Sequence, residues 1–155
     1  MNILFDLFGF LPFLRFSYTD LRWQKVYNSE ISIAWLMILG TKIVVCNLQQ
    51  IVSSFLISIC VFIILIFTVL IAESILGKYL FGAGDIKMIA LLIWSFELTT
   101  VFYSIFIGCC SAIGFLLLKK CCSDLKRIII PFAPFLTAGI LLALLLQHFF
   151  LLSKI

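Results

Sequence analysis

The sequence predicts an all-α, polytopic membrane protein with about six transmembrane helices. Three observations carry this. The chain of 155 residues is 65% hydrophobic and only 12% charged, where soluble domains run nearer half apolar and a quarter charged. So little polar surface cannot cover a soluble core. The apolar residues fall into runs separated by short polar segments, and a spanning helix with its turn takes roughly 25 residues, which sets a ceiling of about six. Finally, the basic residues gather in alternate segments between those runs. With 17 Phe, 8 Gly and 3 Pro, disordered and collagen-like classes are excluded. Residues 1–155 are expected to form one membrane-embedded domain.

The first run is Met1–Phe16, carrying Asp6, Pro12 and Arg15. It has neither the basic start nor the small-residue cleavage site of a signal peptide, so it is read as a retained first span. Ser17–Glu30, with Asp20, Arg22, Lys25 and Glu30, is expected to be the first loop. A second, short run covers about Ile31–Val45, and its Lys42 is expected to snorkel to the far interface. The polar turn Asn47–Gln50 precedes the strongest run, Ile51 to about Ala72. Glu73–Lys87 is a second loop holding Gly77, Gly82 and Gly84. From Ile86 to Leu118 the chain is apolar for too long to be one helix, and a break is expected near Glu97–Thr100. Lys119–Arg127 is a third loop, and Ile128–Leu152 the last span, with Pro131 and Pro134 in its first turns.

Six spans distribute the charges unevenly. One side receives Arg15, Arg22, Lys25, Lys78, Lys87, Lys119, Lys120, Lys126 and Arg127, and the other only Lys42 and Lys154. Positively charged loops stay in the cytoplasm. Both termini are therefore expected outside, with Asp20, Asp85 and Asp124 on the cytoplasmic side. The net charge of +4 reports this topology, and no basic stretch has the length or aromatic interleaving of a nucleic-acid site. The six cysteines (Cys46, Cys60, Cys109, Cys110, Cys121, Cys122) form no C-x-x-C pair, so they read as apolar fillers, and neither a metal nor a cofactor is expected.

Only seven acids occur in the chain. An ionisable group at membrane depth costs several kcal/mol and asks for a function. Asp85 follows Gly82-Ala83-Gly84 at the start of an apolar helix, with Lys87 beside it. An N-cap carboxylate with a snorkelling lysine explains this as well as a reactive acid does. Asp20 lies just past the first run on the same membrane side, where a salt bridge with Arg22 or Arg15 is the plainer account. Two such acids brought together by helix packing could share a proton, one activating water while the other polarises a peptide carbonyl. Glu73, His148, Pro131 and Pro134 read as boundary or helix-shaping residues.

The stretch Gly82-Ala83-Gly84-Asp85-Ile86-Lys87-Met88 closely resembles the G-x-G-D-x-K motif of the type IV prepilin peptidases, the bacterial GxGD membrane aspartic proteases. Tyr18-Thr19-Asp20-Leu21-Arg22 with Val26-Tyr27-Asn28 resembles that family's first-aspartate segment, D-x-R then I-P-N. Ile130-Pro131-Phe132-Ala133-Pro134-Phe135 is similar to its I-P-F-x-P-F segment. The pieces occur in the family's order over roughly residues 17–139, with Tyr27 standing where the I-P-N triplet has proline. The resemblance implies a catalytic pair, Asp20 and Asp85, supported by Gly82, Gly84 and Lys87. It further implies cleavage of the basic leader from prepilins or pseudopilins at the cytoplasmic face of a bacterial inner membrane. The cytoplasmic insert with paired C-x-x-C motifs found in longer members is not in this chain, so zinc is not expected, and N-methylation of the product stays open. The alternatives from other classes are a small transporter or scaffold whose acids bind a cation or fix helices, and a member of the family without activity. Oligomeric state is not readable, since lipid-facing and protein-facing surfaces are equally apolar.

Overall fold

The computed structural model describes residues 3–77, 82–122 and 131–152. Among these there are six helices and no strand: α1 (Ile3–Trp23), α2 (Asn28–Val45), α3 (Leu48–Leu76), α4 (Ala83–Ser95), α5 (Leu98–Cys122) and α6 (Ala133–Leu152). The all-helical class holds. Among the described residues three helices are long and apolar enough to cross a membrane, over Asn28–Val45, Leu48–Leu76 and Leu98–Lys119, and Ala133–Phe149 is a shorter apolar helix. The chain is a membrane protein. Lys78, residues 123–130, Lys154 and the side chains of Lys120, Cys121 and Cys122 lie outside what is described.

The first loop is shorter than its polarity suggests. Helix α1 continues through Ser17–Trp23, because hydropathy tracks immersion in lipid and not the capacity to be helical. The polar side chains in this stretch are served locally: Thr19 Oγ1 donates to the Arg15 and Phe16 carbonyls at 3.2 and 3.1 Å, and Arg22 donates to the Tyr18 hydroxyl at 2.9 Å. The helix stops where Gln24 turns left-handed at φ 51° and its N–H reaches the Asp20 carbonyl at 2.9 Å. Such a residue past the last turn is a common terminator. Only Gln24–Tyr27 remains as loop.

The other boundaries follow from local chemistry. Gln50 Oε1 accepts from the Asn47 N–H at 3.3 Å, occupying a donor at the start of α3. Gly77, at φ 63°, ends α3 by donating to the Glu73 carbonyl at 2.9 Å. The expected break after α4 is found at Phe96–Glu97, where Glu97 O starts α5 by accepting from Val101 N–H at 3.0 Å.

Backbone contacts divide the chain into two compact units, one of Met1–Gly9 with Lys25–Phe96 and one of Phe10–Gln24 with Glu97–Ile155. In the first, α4 is apolar all round and buried nearly all round, from Ile86 to Ser95 apart from Lys87. Helix α2 packs on it through Ile31, Ala34 and Ile38. Helix α3 keeps only Ser58 buried, and Ser58 Oγ donates to the Ala90 carbonyl at 2.7 Å. At the far end of α2, Lys42 does not snorkel outward. It is buried, donates to Ser54 Oγ at 2.7 Å and lies 4.4 Å over the Trp94 ring. Trp94 is stacked on Trp35 and meets the edge of Phe55. An aromatic face and a hydroxyl thus replace water around the ammonium, which removes the need to reach the interface.

In the second unit α5 and α6 cross at glycines. A side chain on Gly108 would meet the Phe135–Leu136 backbone, and one on Gly139 would overlap the Ser104 carbonyl. Small residues at a crossing let the backbones approach, which is what holds helices together where lipid offers no hydrophobic drive. Thr100 Oγ1 and Gln147 Oε1, 2.6 Å apart, tie the same pair together near its other end.

Candidate active site

Asp85 sits in the first turn of α4, where its N–H donates to the Gly82 carbonyl at 3.0 Å. A Cβ on Gly82 would stand 3.1 Å from Asp85 Oδ2, so the bare backbone leaves room for the carboxylate. A Cβ on Gly84 would only come into ordinary contact with the Val26 side chain at 3.4 Å, which places the segment before α2 against the turn. Two residues on, Lys87 Nζ donates to Asn28 Oδ1 at 2.7 Å. Lys87 therefore ties the Asp85 turn to the start of α2 and does not act only as an anchor. The carboxylate lies in the first turn of α4 and is partly exposed.

Asp20 is in the last turn of α1, beyond the apolar part of that helix, and is 8% exposed. It makes no ion pair with Arg22, which turns to Tyr18 instead. Its Oδ2 accepts from the Ala133 N–H at 3.0 Å. Ala133 is the first residue of α6, so Asp20 caps that helix from another part of the chain. The sequence around Ala133 suits this. Pro134 has no N–H to satisfy, and Phe135 and Leu136 both donate to the Phe132 carbonyl at 3.1 Å. The Asp20 carboxyl is raised above the usual carboxylate range by burial, which the Ala133 and Phe132 N–H groups only partly offset.

Asp85 belongs to the first unit and Asp20 to the second. Within each unit an acid-bearing motif is joined to a distant segment: residues 82–87 to 26–28, and Asp20 to 132–133. Asn28 and Ala133 carry these links; both stand in the motif-like segments named from the sequence, but their pairing with Lys87 and Asp20, 59 and 113 positions away, is not readable along the chain. Among the described residues no three His, Cys, Asp or Glu side chains gather as metal ligands would. Cys46, Cys60, Cys109 and Cys110 are free thiols.

Compared with known families, residues 7–117 match the model of the type IV leader peptidase family. Both Asp20 and Asp85 fall inside that stretch, and the Phe132–Ala133 turn lies beyond it. No curated protein and no solved structure matches the chain.

Proposed function

Since the chain belongs to the type IV leader peptidase family, a family of peptidases, we propose that Asp20 and Asp85 are its catalytic carboxylates and that it cuts leaders from prepilin-like or pseudopilin precursors. The observation that carries this is that Asp20, a buried carboxylate with a raised pKa, is held in place by a main-chain N–H contributed from 113 residues away. In the proposed reaction Asp20 enters protonated and polarises the scissile carbonyl. Asp85 enters ionised at the α4 N-terminus and takes a proton from the attacking water. The tetrahedral intermediate then collapses as Asp85 passes that proton to the leaving amine, which returns both acids to their starting states. The basic-residue pattern supports both acids lying at the cytoplasmic face of a bacterial inner membrane, with the termini outside.

One observation favours a second reading. The Asp20–Ala133 bond would by itself give Asp20 a structural reason to exist. Co-expression with a prepilin carrying a basic leader separates the two readings. Asp85→Asn and Asp20→Asn should each abolish the mobility shift on leader removal while the protein still accumulates in the membrane. Cleavage retained by either variant overturns the pair.

A further inference from the structure

The first unit also holds an apolar cavity that the proposed acid–base steps do not involve. The cavity, of about 190 Å³, is lined by Ile31 and Trp35 of α2, Ser58, Ile59 and Phe62 of α3, and Lys87 and Ala90 of α4. The lining residues lie about one helical turn apart on each helix, so the space is a short groove along the bundle. Ser58 offers no free donor, because its hydroxyl is already committed to the Ala90 carbonyl. Helix α3, which contributes to the lining, also carries exposed Phe55, Leu56 and Ile63, the kind of surface that meets hydrocarbon in a membrane. Its volume is somewhat more than the ~150 Å³ in which a dry apolar cavity holds benzene, and well below the ~300 Å³ at which whole small-molecule pockets begin. It admits a stretch of acyl chain and not a complete polar ligand.

One end is charged. Lys87 donates one of its N–H groups to neutral Asn28, makes no ion pair among the described residues, and keeps two donors for another acceptor. We propose that the groove seats one acyl chain of an anionic phospholipid, whose headgroup phosphate accepts hydrogen bonds from the Lys87 ammonium. Charge complementarity selects this occupant. A bare phosphate ion would gain nothing from Trp35, Phe62 and the isoleucines. An apolar peptide segment would offer the ammonium only neutral carbonyl acceptors and no opposite charge. A neutral lipid would bring its own cation towards Lys87. The position of Lys87 in the second turn of α4, one turn before Ala90, is where a headgroup and the start of its chain meet.

The full chain, carrying Trp23→Phe so that emission comes from Trp35 and Trp94, would be reconstituted in vesicles of phosphatidylcholine with a minority of phosphatidylglycerol. Bromine, a contact quencher, is placed on the chains of one lipid at a time. The expected result is stronger quenching by the anionic lipid, corresponding to about fivefold enrichment at the groove. Lys87→Gln should reduce that preference to near one, and Lys87→Arg should keep it. Ala90→Phe, which fills the groove without changing charge, should lessen quenching by both lipids. Equal quenching by the two lipids in the Trp23→Phe protein overturns the proposal, as does a preference that survives Lys87→Gln. Shielding of Trp35 from both lipids would mean that a protein surface covers the groove, and overturns it as well.

Discussion

Replacing Asp20 separates its chemistry from its place in the fold. Asp20→Asn keeps an amide oxygen where Oδ2 now accepts from the Ala133 N–H at 3.0 Å. Asp20→Ala removes the acceptor and leaves a buried N–H at the start of α6 without a partner. Losing an N-cap costs about 0.5–2 kcal/mol, and an orphaned buried donor about 1–3 kcal/mol. Asp20→Ala should therefore be destabilised by about 2 kcal/mol and Asp20→Asn by less than about 1 kcal/mol. Removal of an acid–base group costs on the order of 10²–10⁴ in rate, so both variants should lose leader cleavage. The assays are denaturant unfolding in detergent, followed by circular dichroism, and the gel shift of a co-expressed prepilin. The same pair tests the raised pKa. A carboxyl that binds its proton more tightly when folded gives stability that is complete below its ordinary value of 3.8 and is lost as pH rises through the folded value. Wild type should thus lose stability relative to Asp20→Asn across the interval just above pH 3.8. Equal destabilisation by Asn and Ala would refute the capping argument. A stability difference between wild type and Asp20→Asn that does not change with pH would refute the burial argument.

Three further outcomes are expected. Gly82→Ala puts a methyl group 3.1 Å from Asp85 Oδ2, so the carboxylate must turn aside; cleavage should fall at least tenfold with membrane accumulation unchanged, measured by gel shift and immunoblot. In Gly139→Ala the new methyl would overlap the Ser104 carbonyl, which is main chain and cannot simply rotate away. Overpacking of this kind costs about 1–3 kcal/mol, to be read as a lowered unfolding midpoint, and Gly114→Ala on open space is its control. Lys42→Met exchanges a buried cation for an apolar chain of similar length. Such exchanges are often neutral or stabilising, so the unfolding midpoint should hold or rise while the tryptophan emission changes as the ammonium leaves the Trp94 face.

The helices are legible in the sequence to different depths. The break at Phe96–Glu97 stands within two residues of where Glu97–Thr100 interrupts the apolar run, because a carboxylate and two hydroxyls are costly in lipid and the chain turns to bring them to the interface. Hydropathy ends α1 too early, at Phe16, since Ser17, Tyr18 and Thr19 look like loop until the Tyr18 and Thr19 hydroxyl groups are seen paired within the helix. Lys42 reads as interfacial for a similar reason. Its hydropathy says only that it is costly in lipid, and the ring of Trp94, 52 residues further on, supplies the alternative to water.

The sequence alone determined what is local and additive. Apolar runs long enough for helices, the breaks between them, the class of environment and the scarcity of acids can all be counted residue by residue, because transfer from water to lipid is nearly a sum over side chains. Tertiary structure alone decided what each charged group touches. Asp20 finds Ala133 and Lys87 finds Asn28 across gaps that no window along the chain covers. Hydrogen bonds and desolvation act over a few ångströms of space, whatever the distance along the chain. The pKa of Asp20 and the single charge at the end of the apolar groove therefore became readable only once the helices were packed.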